Sequence, residues 1–190
     1  MVFFFHHEDN SAQQWIEQNP EIIALIDSGA FIGIFPEGYE NHWNSVDQTD
    51  VDDLEFISLI DNDLDAMALM ADSQRFAVGE PEGAGMVNRL GKQTSLFSAI
   101  APLLGQQTYF VSDTVPLQAV SVFQINASED PLVPLNGDDR YLSVQQSAEN
   151  WAANFNCDVD GATRQELWGN YNVDLVVYDS CIERAEIRYA

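Results

Sequence analysis

Four apolar residues, Val2–Phe5, make the first unbroken hydrophobic run of the chain. A short run rich in β-favouring side chains, followed at once by polar residues, predicts a buried strand. His6-His7-Glu8-Asp9-Asn10-Ser11 predicts a polar loop, and Ser11 can cap a helix running through Gln13, Trp15 and Ile16. Pro20 interrupts that helix, and residues 22–27 read as helix or turn. Residues 31–35 predict a second buried strand, stopped by Pro36-Glu37-Gly38. After an acidic loop over 47–53, Leu54, Ile57, Leu59, Ile60 and Leu64 recur at near-helical spacing. Further on, residues 75–78, 97–103, 120–125, 175–178 and 186–189 predict strands, while 86–90 and 142–155 predict helices.

Strands alternating with helices predict an α/β fold with a mostly parallel central sheet. In such sheets the functional crevice lies beyond the carboxyl ends of the strands. The loops at His6, Gly79 and Asp130 each follow a strand directly, so all three are expected on that edge. No repeat, low-complexity tract or linker interrupts the pattern, which predicts one domain over residues 1–190.

Composition narrows the partners more than the fold. The 190 residues are 46% hydrophobic, enough for a sizeable core. Seven Lys and Arg against 31 Asp and Glu give a formal net charge of -24. That field repels nucleic acid and anionic lipid, so neither is expected as a partner. The plain reading is a highly solvated surface; a calcium or basic-protein partner is the alternative. No apolar run reaches the length of a membrane span. Met1 to Phe5 is too short, and lacks the basic flank, for a signal peptide, and nothing assigns a compartment. Two cysteines, Cys157 and Cys181, do not by themselves prove an oxidising compartment.

Candidate chemistry centres on Gly79-Glu80-Pro81-Glu82-Gly83. It stands after a strand and before a helix, where a G-x-S-x-G nucleophile elbow would place its serine, and it has none. His6-His7-Glu8-Asp9 offers metal-ligand residue types, but neighbours on a strand point to opposite faces, so no metal is expected there. No cofactor is expected either. His42 beside Trp43 reads as a surface loop histidine, Ser95 and Ser98 lie outside any elbow, and Asp52-Asp53 suits a helix start.

Several segments, in order, carry a resemblance. They are Phe4-Phe5-His6-His7; Phe35-Pro36-Glu37-Gly38 with Trp43-Asn44; Val51-Asp52-Asp53-Leu54-Glu55-Phe56-Ile57; Gly83-Ala84-Gly85-Met86 with Arg89-Leu90; Ala99-Ile100-Ala101-Pro102; Asn126 through Asp130 to Pro134; and Trp151 to Cys157. Together the chain resembles the secreted α/β-hydrolase family of polyhydroxybutyrate depolymerases and feruloyl or acetylxylan-type esterases. The resemblance implies an α/β-hydrolase-like three-layer sandwich and hydrolysis of carboxylic esters, with a small-molecule or polymer ester as substrate. It assigns the triad acid to Asp130, the oxyanion loop to His6, His7 and Glu8, and the nucleophile position to Pro81 or Glu82. Proline has no nucleophilic atom. Carboxylates can act as nucleophiles, but Glu82 would still need a base for the second step, and a solvated acidic turn is the plainer reading. Glu8 and Asp9 stand where the family has glycines, and carboxylates there would oppose an oxyanion.

The resemblance also pairs Cys157 with Cys181, with two free thiols as the alternative. The segment after residue 180 resembles the stretch that precedes the family's catalytic histidine, and the earliest family strands have no counterpart. The expectation is therefore a hydrolase domain short of its terminal strands, a gene fragment or a pseudoenzyme, with ester hydrolysis impaired or lost. A non-catalytic ligand-binding or interaction protein on the same fold is the alternative. In a truncated gene product, exposed sheet edges would favour aggregation or dimerisation.

Overall fold

A computed structural model describes residues 1–67, 74–160 and 163–190. Its centre is an eight-stranded sheet in the order β2-β1-β3-β4-β5-β8-β7-β6. The strands are β1 (Val2–Phe5), β2 (Gly33–Ile34), β3 (Phe76–Gly79), β4 (Ala99–Pro102), β5 (Ser121–Gln124), β6 (Arg164–Trp168), β7 (Tyr171–Tyr178) and β8 (Ile187–Tyr189). β2, β1, β3, β4, β5 and β8 pair in parallel. β7 runs antiparallel to both β8 and β6. The fold is thus α/β with a mostly parallel sheet, closed at one end by an antiparallel hairpin.

Helices cover both faces, and the alternation of β1 shows why. Phe3 and Phe5 point into the main core with Ile57, Met86, Leu90 and Trp151, which come from α3 (Asp53–Ala66), α4 (Pro81–Gln93) and α6 (Val144–Asn154). Phe4 points the other way and stacks with Trp15 of α1 (Ala12–Gln18) and with Phe35. A strand buried on both faces has no polar alternation, which is the run seen in its sequence. α2 (Pro20–Asp27) follows α1 directly, with Pro20 in its first turn.

Local chemistry sets the helix starts. Ser11 accepts from Gln14 N–H at 3.1 Å and Asp52 from Glu55 N–H at 2.9 Å. Ser143 and Gln146 form a reciprocal capping box on α6. α4 has no side-chain cap and begins on Pro81. Cys157 and Cys181 are joined as a disulfide beside the core.

Two expectations change, and one strand was not expected at all. The strand expected over 31–35 is confined to Gly33–Ile34, because Phe31 and Phe35 turn their rings onto Phe4. The helix expected from residue 86 begins five residues earlier, at Pro81. The hairpin strand β6 has no apolar run to reveal it; Arg164, Gln165, Glu166 and Leu167 are all exposed.

Lys92, near the end of α4, is fully buried. It donates to Asn150 Oδ1 at 2.8 Å and lies 4.4 Å from the Trp151 ring centre, with no carboxylate partner among the described residues. Burial pushes its amine down to about 8. In the unfolded chain the same group titrates near 10.4. Below pH 8 the buried charge therefore costs stability in full, and the cost is relieved as pH rises from about 8 towards 10.4. Lys92→Met is expected to melt higher than the parent at pH 7, with the advantage shrinking by pH 10. Melting curves of both proteins at the two pH values check this; a lower melting point for the variant at pH 7 would contradict it.

Candidate functional site

The strand order reverses between β1 and β3, with β2 on one side and β4 on the other. Loops diverge at such a switch point and leave a crevice at the carboxyl ends of the strands. Here Phe5 is in register with Gly79, and Gly79 with Pro102, so the three following loops leave the sheet at one level. The crevice is a cleft of about 500 Å³. Glu8 from the β1 loop and Pro81, Glu82 and Gly85 from the start of α4 form one side. Ser45 and Val46, Phe110, Leu132 and Val133, and Arg140 and Tyr141 complete it.

The start of α4 is fixed by close approach. A Cβ on Gly83 would collide with the carbonyl oxygens of Phe5 and His6, and one on Gly79 with the Gly83 carbonyl. Glycine costs about 1 kcal/mol in a helix relative to alanine, yet here it lets α4 start directly against β1. The turn itself is relaxed. Glu80 is extended (φ -101°, ψ 159°), and no residue from 79 to 83 has positive φ. The strained strand-to-helix elbow that presents a nucleophilic serine is absent in backbone as well as in side chain.

Glu82 lies in the first turn of α4, not in a solvated turn. Its side chain is 19% exposed. One oxygen accepts from Trp43 N–H at 3.1 Å; the other lies 3.5 Å from His42 Nδ1. Burial raises its carboxyl above the ordinary range, while the Trp43 N–H and His42 pull it back down and the nearby Glu8 pushes it up. His42 also lies 3.8 Å from Asp9 on its other side. The histidine is exposed, as the sequence suggested, but it stands beside the cleft's central carboxylate. The only sequence signal for this was its neighbour Trp43, whose backbone and indole N–H both tie the loop to the site: the indole donates to His6 O at 3.0 Å.

His6 is fully buried and both its ring nitrogens are occupied. Nε2 accepts from Gly38 N–H at 3.1 Å, and Nδ1 lies 2.8 Å from His7 O; a proton on Nδ1 satisfies both contacts. His6 thus joins the β1 loop to the Pro36-Glu37-Gly38 segment. His7 lies 2.5 Å from Glu8 O through Nδ1. Of the three oxyanion-loop candidates, Glu8 lines the cleft. Asp130 Oδ1 accepts from Leu132 N–H at 2.8 Å and Val133 N–H at 3.0 Å. It shapes the turn that delivers those two apolar residues to the cleft wall.

A buried knot holds the opposite wall. Asp53 accepts from Asn44 N–H at 2.6 Å, and the Asn44 side chain donates to Thr49 O and Val51 O. Arg89 donates to Asn44 O, and at 2.9 Å to Asp47. These contacts fix the loop that carries Ser45 and Val46. Arg89 also lies 6.0 Å below the Phe110 ring centre. Across the cleft, burial raises the Tyr141 hydroxyl, with Asp138, Glu8 and Glu82 adding to the shift and Arg140 opposing it. Tyr141 therefore stays a hydrogen-bond donor. Arg140 stacks over Tyr141 at 5.1 Å and pairs with Asp138 at 3.6 Å. No pattern in the sequence singled out Phe110, Arg140, Tyr141 or Ser45. Among the described residues no group of three or more His, Cys, Asp or Glu is arranged to hold a metal ion.

No protein-family model matches the chain, and no curated protein matches it. Among solved structures, the Pyrococcus furiosus esterase Pf2001 overlays with a TM-score of 0.46 at 12% identity, over 80% of this chain and 67% of that one. The fold assignment rests on the strand order and register above.

The Glu82 contacts make a specific expectation. His42→Ala removes an imidazole whose contact lowers the Glu82 carboxyl, so the Glu82 titration midpoint is expected to move further up. Carbon-detected NMR titration of the side-chain carboxyls checks this; an unchanged or lower midpoint in the variant would contradict it.

Proposed function

We propose that this chain is an ester-hydrolase-type α/β scaffold whose catalytic chemistry is impaired. The observation that carries the reading is the first turn of α4. At the carboxyl end of β3, where the resemblance to depolymerases and esterases calls for a serine, the chain has Glu80-Pro81-Glu82 on an unstrained backbone. Nucleophilic acyl transfer needs a nucleophile, a base within hydrogen-bond reach and donors for the oxyanion. Pro81 offers neither nucleophile nor N–H. Glu82 is held by Trp43 and His42, and Glu8 brings a second negative charge to the same cleft. A tetrahedral oxyanion formed beside these carboxylates would be repelled by them. Asp130, at the triad-acid position, serves its own loop.

A second reading is favoured by the cleft itself. Its walls are braced by the Asn44–Asp53–Arg89 knot and carry both apolar and hydrogen-bonding groups. Most small-molecule sites have this mixture: apolar walls with a few fixed polar groups. We infer that the cleft binds a small ester or hydroxyacid without turnover.

Hydrolysis of a nitrophenyl butyrate by the pure protein tests both parts. The rate is expected at solvent background, unchanged by Glu82→Ala, because loss of a catalytic serine or histidine costs up to about 10⁶-fold in kcat. The uncleaved substrate is expected to saturate a binding signal that Val133→Arg abolishes. Turnover at the level of an intact esterase, lost in Glu82→Ala, would overturn the catalytic part. Absence of saturable binding would overturn the second.

A further inference from the structure

The antiparallel hairpin ends the sheet on β6, which is paired with β7 alone among the described residues. No described residue pairs with its outer edge, and the surface around it is exposed: Leu167 is 69% and Tyr171 78% accessible. We propose that this edge pairs with the same edge of a second copy. The result is a two-fold dimer in which the two β6 strands run antiparallel, centred on Gln165.

The register follows from the hairpin. Trp168 is opposite Tyr171 and only Gly169-Asn170 lie between them, with Gly169 at φ 60°. In a two-residue turn the closing pair takes the turn hydrogen bond. Bonding then alternates along the strand. Trp168, Glu166 and Arg164 direct their backbone groups at β7, and Gln165 and Leu167 direct theirs outward. A new antiparallel strand must therefore set outward-facing residues opposite one another, which a two-fold axis does when it falls on a single residue of β6.

Three such centres lie inside β6, and the one on Glu166 sets that carboxylate opposite its own copy, which is destabilising. Centring on Leu167 sets Glu166 opposite Trp168 and forms no charge pair. Centring on Gln165 sets Arg164 of each copy opposite Glu166 of the other, and symmetry makes the match twice. These are non-hydrogen-bonded positions, where facing side chains come closest and opposite charges stabilise the pair. Charged residues on an edge usually deter pairing with unrelated strands. In this register they deter other strands and match their own.

The mount is firm: Trp168 meets the Phe123 ring edge-on at 5.9 Å, so the hairpin is held to the parallel sheet. The net charge of -24 opposes self-association, but residues 164–178 carry one arginine against two carboxylates. The hairpin is thus less acidic than the chain as a whole, and salt screens repulsion from the remainder.

Sedimentation equilibrium of the full chain in about 0.5 M salt tests the proposal. The parent is expected to dimerise reversibly. Arg164→Glu puts carboxylates opposite one another twice, and is expected to weaken the dimer by about tenfold or more. The double variant Arg164→Glu with Glu166→Arg restores the match and is expected to restore the dimer. Both positions are exposed, and circular dichroism verifies that the variants remain folded. A parent that stays monomeric into the submillimolar range would overturn the proposal. So would a dimer indifferent to Arg164→Glu, or one that the double variant fails to rescue.

Discussion

The first turn of α4 lies against the carboxyl end of β1 with no room for a side chain at Gly83. The cleft depends on that contact. Because the helix axis comes so near the sheet, α4 is buried from Gly83 through Lys92, and its first turn projects Glu82 and Gly85 into the space at the switch point. The same approach leaves the β1 loop no direct path outward. It is pinned instead by His6 to Gly38 and by the Trp43 indole to His6. A close backbone crossing, set by glycines, thus decides where the walls of the cleft can stand.

The turn from β3 into α4 presents no serine. A serine elbow stores strain in one residue so that its hydroxyl stands clear. Here proline occupies the first helical position with its φ fixed in the ordinary helical range, and the turn relaxes. The half-buried carboxylate that follows is stabilised by a backbone N–H and an imidazole rather than poised for attack. Its raised proton affinity comes from burial, to which the like-charge neighbour Glu8 adds a little. Tyr141 and Arg140 stand as donors in the same cleft as the carboxylates of Glu8 and Glu82.

Much of the frame was legible because its signals are local. Val2–Phe5 has no polar residue and is buried on both faces; Ser11, Asp52 and Ser143 cap the helices they precede. Trp43-Asn44, Val51-Asp52-Asp53 and Arg89, scattered in sequence, meet as one knot of hydrogen bonds. Other features had no local signal. β6 is a polar edge strand, identifiable only by its partner β7. The Glu82–His42 contact spans forty residues, and each of the two read alone as surface. Phe110 reaches the cleft from a one-turn helix (Tyr109–Ser112) and Tyr141 from a loop, and tertiary contacts such as Leu142 N–H donating to Gln107 O set their paths.

On the reading proposed above, the turn from β3 into α4 captures no acyl group. Intact-protein mass spectrometry after brief exposure to an activated nitrophenyl ester, quenched in acid, reads that directly. The account predicts unmodified protein at every time point. An acyl adduct that forms stoichiometrically and maps to Ser45 or another cleft residue would contradict it.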